Sequence, residues 1–364
     1  MKDVKKLFVN SYFYNNKISK DKYCQNNDLI ESKCYDYVFN NLKCSQKKVS
    51  NKLKMIKDIY SSVELFNADI LHNFIYTVII LKKYNNLFIP TQKYFKDKAV
   101  SEKNLIYDNS LQFTPNQVTL TNILKIYYDY FYEIAPYLIL WESENLNFIN
   151  NDLKIYLMRA INSKKIRFIL IKLTIIIGPS VTHSNIILYD KQNHILERFE
   201  PYGDVGYLSS DKLDKFLLLK FSKIFGPFKY IIPKNIKGVG FQTISNETDK
   251  TLKKINDPNG FCLAWSFWYI EQRLSNPEEN PNELMDKINN DLVVNVDSTS
   301  NDEENPYLNL IRTYANNLYT EKNRYLESLG ITPQKYNLQT YDKNILQLIL
   351  GSLKKDLETL TSNL

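Results

Sequence analysis

Twelve consecutive residues in the middle of the chain, Ile166 to Ile177, read Ile-Arg-Phe-Ile-Leu-Ile-Lys-Leu-Thr-Ile-Ile-Ile, with charge only at Arg167 and Lys172. A helix needs about 20 apolar residues to cross a bilayer, so this run is too short for that. It reads as a buried strand. A buried strand needs partners, and the flanking sequence offers them. Tyr137 to Trp141 is a short apolar run; Asn185 to Tyr189 and Ile195 to Phe199 are joined by the hairpin-like turn Asp190-Lys191-Gln192-Asn193. Phe228 to Ile232 is a further strand candidate, ended by Pro233.

After these strands the pattern turns helical. Helices are expected over Cys262 to Leu274, stopped by Pro277, then Glu283 to Leu292, Tyr307 to Leu329 and Lys343 to Leu360. A polar stretch from Asp297 to Asn305 reads as a mobile loop. Upstream, helical spacing appears across Leu53 to Asn67 and Ile70 to Lys83, and Asn122 is placed to cap a helix running toward Glu133. The stretch from Pro90 to Asn116 reads as a connection. The fold class expected is α+β: a central mixed sheet with a helix packed on it, and carboxy-terminal helices. Residues 1–115 are expected to form a mainly helical amino-terminal module, and residues 116–364 the sheet-bearing domain. There is no internal repeat.

Composition narrows the class of protein. A hydrophobic content of 44% argues against disorder over most of the length. The formal charge of +7 permits weak nucleic-acid binding without demanding it, and no nucleic-acid reader motif is present. Met1-Lys2-Asp3-Val4-Lys5-Lys6 leads into a polar stretch, not an apolar one. No secretory signal or membrane association is therefore expected, and the thiols should stay reduced in an intracellular setting. Cys24, Cys34 and Cys44 are ten residues apart with no close pairing and no nearby histidine, so neither a metal nor another cofactor is expected.

Cys262 stands apart from those three. It lies in Asp257-Pro258-Asn259-Gly260-Phe261-Cys262-Leu263-Ala264-Trp265-Ser266-Phe267-Trp268, directly after turn residues and at the start of an apolar helix. The positive end of a helix favours negative charge there. A thiol nucleophile also needs a base, a group that orients the base, and donors for the oxyanion. His183 begins one strand of the expected hairpin and Glu200 ends the other, so antiparallel register makes them neighbours. Pro201 and Gly203 would fix the turn that aims the carboxylate. Glu197 differs from Glu200 in parity and should face the other side of its strand; His194 belongs to the far end of the hairpin. Asn185 shares parity with His183 and is expected to line the site. Trp265 and Trp268 are three apart, a spacing that suits core packing, and Trp265 is also carried as a substrate-side candidate. Taken singly, a histidine at a strand end is usually structural and a helix-start cysteine is usually core. Their conjunction carries the chemical reading.

His183 with its strand, then Phe199-Glu200-Pro201-Tyr202-Gly203, then a cysteine at a helix start resembles the adenain-like family of cysteine peptidases, in the clan that also holds ubiquitin-like-protein proteases. Phe261-Cys262-Leu263-Ala264-Trp265, with Asn276-Pro277 after the helix, is similar to proteases of large cytoplasmic DNA viruses. The resemblance covers residues 136–280. It implies an adenain-like fold in which Cys262 is the nucleophile, His183 the base, Glu200 its orienting acid and Gln242 the oxyanion glutamine. Gln242 lies twenty positions before Cys262, farther than the family's spacing; Ser184 and Leu263 replace the tryptophan and glycine common there. The implied activity is a thiol protease cleaving after small or Gly-Gly-type sites in viral polyproteins or ubiquitin-like conjugates, in host cytoplasm or virion. The alternative is a protease-like fold kept as an inactive structural or binding component of a virus particle or host-interaction complex.

Overall fold

A computed structural model of the chain describes residues 70–90, parts of 116–126, 138–149 except 145, 153–179, 181–203, 210–232, 239–247 with 249, 257–296 except 259, 305–333 and 341–362. In chain order the elements are α1 (Ile70–Lys83), β1 (Leu87–Phe88), β2 (Leu138–Trp141), β3 (Asn147–Phe148), α2 (Leu153–Asn162), β4 (Phe168–Gly178), β5 (Val181–Asp190), β6 (Ile195–Phe199), α3 (Ser210–Phe225), β7 (Lys229–Ile231), α4 (Phe241–Ile244), α5 (Cys262–Ser275), α6 (Pro281–Val296), α7 (Pro306–Ser328) and α8 (Lys343–Ser362). The strands form one mixed seven-stranded sheet in the order β3-β2-β4-β5-β6-β7, with β1 also paired to β4. β1 and β2 run parallel to β4, the β4-β5-β6 meander is antiparallel, and β7 is parallel to β6. The fold is thus mixed α and β with helices on the sheet.

Both faces of β4 are covered, which explains its near-continuous apolar sequence. One face, with Phe168 and Leu170, packs in a core with α1, α5, α7 and α8. The other, with Ile169, Ile171, Leu173 and Ile175, packs with α2 and α3. The two charges in the run are accommodated differently. Arg167, just before β4, pairs with Asp190 at the hairpin turn (Nη2 to Oδ2, 3.2 Å) and with Glu278. Lys172 is buried; its ammonium bonds the Asn73 side chain on α1 and lies 5.4 Å from the ring centroid of Phe267. Burial pushes that amine down to about 7.

α1 holds Leu71, Phe74, Ile75, Val78 and Leu81 in the core at helical spacing, and Lys82 and Lys83 end it with charge that suits a helix C-terminus. It shares that core with the helices that follow the sheet. The remainder of the expected amino-terminal module, including the helix expected over residues 53–67, lies outside the described residues, as do residues 91–115 of the expected connection and residues 297–304 of the expected loop. Asn122 is not a cap: helical residues 116 and 118–120 precede it. Two helices that the sequence reading omits, α2 and α3, cover the second face through Leu153, Leu157 and Ala160, and through Leu213, Leu217 and Phe221. No helix among the described residues is long and apolar enough to cross a membrane.

α5 is held to the sheet by apolar packing and by buried ion pairs of Arg273 with Glu197 and, at 3.9 Å, with Asp190. Trp265 and Trp268 meet edge to face with centroids 5.3 Å apart, and both are buried, as their spacing predicts. Phe199 stacks on Tyr269 at 4.2 Å. Arg273 grips Glu197 of β6 with two bonds (Nε to Oε2, 2.8 Å; Nη2 to Oε1, 2.9 Å), and the Tyr269 hydroxyl donates to the same carboxylate at 2.5 Å. Glu197 therefore faces α5, on the opposite side of β6 from Arg198, whose guanidinium bonds Asp214 of α3. Truncating one partner of such a pair strands a buried charge, at a cost of about 3–5 kcal/mol. Arg273→Leu is expected to lower the unfolding free energy by about that amount, measured by urea denaturation.

Candidate active site

Strand register brings the first two candidate residues together. The β5-β6 ladder pairs Ile186 with Phe199 and Asp190 with Ile195, so the start of β5 lies beside the chain leaving β6. There His183 Nε2 bonds Glu200 Oε1. Gly203, at φ 80°, closes the turn with its N–H on the Glu200 carbonyl at 3.0 Å. The Tyr202 N–H donates to Glu200 Oε1 at 2.9 Å, and the Tyr202 ring lies 4.6 Å from the imidazole, tilted by 30°. The Pro-Tyr-Gly turn thus both aims the carboxylate and covers the imidazole.

Glu200 is buried and braced from behind. Asn185 Nδ2 donates to its Oε2 at 2.8 Å; Arg198 donates to Asn185 Oδ1 at 3.0 Å and lies 3.7 Å from Glu200. Arg198 is anchored on Asp214, which also accepts from the Tyr230 hydroxyl at 2.6 Å. Burial alone would raise the Glu200 carboxyl, but His183 and Arg198 hold it below the usual carboxylate range. Burial likewise opposes the His183 imidazolium, yet the Glu200 charge and hydrogen bonds to Glu200 and Cys262 raise it to about 10.

Cys262 is half-buried in the first turn of α5. Its side chain interacts with the His183 imidazole and helps to keep that ring charged. With Nε2 engaged by Glu200, Nδ1 is the ring nitrogen left for the sulfur. Ser266, one turn along α5, donates to the Cys262 carbonyl at 2.8 Å and lies 3.4 Å from the hydroxyl and carbonyl of Ser184. That contact registers the helix start against the strand position next to His183.

Gln242 reaches the same place from α4. The Gly203–Val239 bridge and bonds from Gly240 N to Tyr202 O (3.0 Å), Gln242 N to Pro201 O (2.9 Å) and Thr243 Oγ1 to Tyr202 O (2.8 Å) seat its segment on the Glu200 turn. A Cβ on Gly260, two residues before Cys262, would lie 3.4 Å from Gln242 Nε2. The twenty-residue separation in sequence is closed in space.

Two expected substrate-side residues have other surroundings. Asn185 is spent on Glu200 and Arg198, and Trp265 is enclosed by Phe241 and Trp268; both are buried, so neither presents a surface to a substrate in this conformation. His194 lies at the far end of the hairpin against the Tyr189 hydroxyl, as expected. Sequence reasoning missed Arg198 and Glu247. The first had a signal, since it shares parity with Glu200. The second, whose carboxylate bonds Gln242 and the Phe261 N–H, had none. Cys24, Cys34 and Cys44 lie outside the described residues.

No family model matches the chain. A protein of Acanthamoeba polyphaga mimivirus named for ankyrin repeats is 28% identical over 317 residues, which cover 83% of this chain and 38% of that protein. The chain therefore spans less than two fifths of that relative's length. Among solved structures it is similar to ChlaDub1 of Chlamydia trachomatis, at 12% identity and a TM-score of 0.33, over 71% of this chain and 92% of that one. It is similar at the same identity and TM-score to the Chlamydia trachomatis effector Cdu1 bound to ubiquitin, over 76% and 98%.

Proposed function

We propose that this chain is a cysteine endopeptidase. The observation that carries the reading is the buried bond between the Glu200 carboxylate and the His183 imidazole, with the Cys262 side chain interacting with the same ring. In the reaction the Cys262 sulfur attacks the scissile carbonyl carbon as a thiolate. His183, as imidazolium, protonates the leaving amine as the C–N bond breaks. Water then attacks the thioester, His183 takes its proton, and the thiolate departs. Glu200 keeps the ring oriented and stabilises its charged form. Gln242 Nε2 and the N–H groups at the start of α5 are the donors proposed for the oxyanion.

The substrate class proposed is a chain cleaved after small or Gly-Gly-type sites, in viral polyproteins or ubiquitin-like conjugates, as the family resemblance of the sequence implies. The test is hydrolysis of two fluorogenic substrates, a Gly-Gly-ending peptide and a ubiquitin-like protein with the same terminus. Turnover by the wild type that disappears in Cys262→Ala is expected. No turnover of either, or turnover that survives Cys262→Ala, would remove the peptidase reading in favour of a binding role.

The His183–Glu200 pair also sets a pH dependence of stability. A histidine raised from 6.5 to about 10 contributes fully below 6.5 and loses that contribution as pH rises through 10. Glu200, held below 4.5, contributes above that value and loses it as pH falls through its lower folded value. The stability difference between wild type and His183→Gln is therefore expected to be largest between pH 4.5 and 6.5 and to shrink toward pH 10. Urea unfolding of both proteins at pH 6 and about pH 10 checks it.

A further inference from the structure

Glu247 belongs to no motif, yet the carboxylate joins the two segments that flank the candidate nucleophile. α4 ends at Ile244, and the chain turns through Ser245 and Asn246, the latter in the left-handed region at φ 51°. The Ser245 hydroxyl ties the turn to the Gln242 carbonyl at 2.8 Å, and Asn305 Nδ2, at the cap of α7, donates to the Ile244 carbonyl at 2.7 Å. This turn sends Glu247 back toward α5. Its Oε1 accepts from Gln242 Nε2 and from the Phe261 N–H at 2.9 Å. A Cβ on Gly260 would lie 3.4 Å from Gln242 Nε2 and 3.7 Å from Glu247 Oε1, so glutamine amide, carboxylate and pre-nucleophile backbone form one packed layer.

The chemistry of that layer is directional. Glu247 Oε1 already accepts from the Phe261 N–H, so it takes the NH2 end of the glutamine amide and disfavours the flipped orientation. Gln242 Oε1 is buried and has no hydrogen-bond partner among the described residues, so none of these competes on the oxygen side to set the amide. One Nε2 hydrogen goes to Glu247, and the amide nitrogen lies beside Gly260 in the loop that leads into Cys262. The Phe261 bond fixes the residue immediately before the sulfur. Burial pushes the Glu247 carboxyl up to about 7, against the Phe261 N–H, the Gln242 amide and the Trp265 indole, which favour its charged form.

Resting on the peptidase reading above, we propose that Glu247 is a positioning residue for the oxyanion site, orienting the Gln242 amide and holding the backbone ahead of Cys262. The test is steady-state hydrolysis of the Gly-Gly-ending fluorogenic peptide by the 364-residue wild-type chain, E247A, E247Q, Q242A and the E247A/Q242A double variant, with thermal melts of each. Removing an oriented oxyanion donor costs about 10²–10³ in kcat, so loss of its holder is expected to cost about 10- to 100-fold in kcat with KM changed less than about 3-fold. E247Q keeps an acceptor oxygen and should recover to within about 5-fold of wild type. The double variant should be no worse than about 3-fold below Q242A, because both changes remove one device.

Should E247A fail to fold, E247D takes its place in every comparison, keeping the charge but shortening the reach. Wild-type kcat in the alanine or aspartate variant, losses that multiply in the double variant, or an E247Q as impaired as E247A would overturn the role of Glu247 alone. A wild type without Cys262-dependent turnover would overturn the peptidase reading and this role with it.

Discussion

Replacing His183 with glutamine is expected to lower kcat on the Gly-Gly peptide by on the order of 10⁴- to 10⁶-fold, the range seen when one member of a catalytic triad is removed. The size follows from its place in the site. His183 interacts with both Glu200 and Cys262, which places it to carry a proton between sulfur, leaving group and water. Glutamine can still donate to the Glu200 carboxylate, which keeps its bonds from Asn185 at 2.8 Å and from the Tyr202 N–H at 2.9 Å, with Arg198 3.7 Å away. The buried acid keeps these partners, so the variant should still fold, as a cooperative thermal melt would verify, though at the lower stability that the loss of the charged imidazole implies. A variant retaining more than about one tenth of wild-type kcat would mean that His183 does not manage the proton.

The second large effect is structural and arises at Gly240. A methyl group there would lie 2.1 Å from the Pro201 carbonyl oxygen, 2.2 Å from the Tyr202 carbonyl carbon and 2.3 Å from the Gly203 nitrogen. All three are backbone atoms of the turn that aims Glu200, and none can swing away as the end of a side chain could. Gly240 itself has ordinary extended torsions (φ −77°, ψ 157°), so what requires glycine is the close approach, not the conformation. Gly240→Ala must push α4 off the Glu200 turn, breaking the bonds from Gly240 N and Gln242 N to Tyr202 and Pro201. Overpacking a fixed site costs about 1–3 kcal/mol and occasionally more, and with backbone on both sides the upper end is expected. Loss of about 3 kcal/mol in urea denaturation, together with a fall in kcat as Gln242 moves away from Cys262, is the outcome to look for.

Much of the site was legible because it depends on register. The alternation of β5 and β6 and the Asp190 turn place His183 beside Glu200, and the same parity puts Glu197 on the α5 side. The covered faces of β4 are equally readable in its unbroken apolar run. Helix α3 also has a signal, since Leu213, Leu217 and Phe221 recur every four residues, though it lies among strand candidates. What could not be read is what depends on chain reversal. No local periodicity says that Asn246 turns left-handed and returns Glu247 to Gln242 and Phe261. The burial of Asn185 and Trp265 was hidden for a related reason: parity and helix phase give a face but not whether another element covers it. Asn185 faces Arg198, which is anchored on α3, and Trp265 faces Phe241 of α4.

The proposed thiol chemistry is tested most directly by intact-protein mass after incubation with an electrophilic probe that ends in Gly-Gly. Stoichiometric addition of one probe, mapped by peptide digestion to Cys262 and absent in Cys262→Ala and His183→Gln, is the expected result. No adduct on the wild type, or an adduct that persists when Cys262 is replaced, would contradict the peptidase assignment.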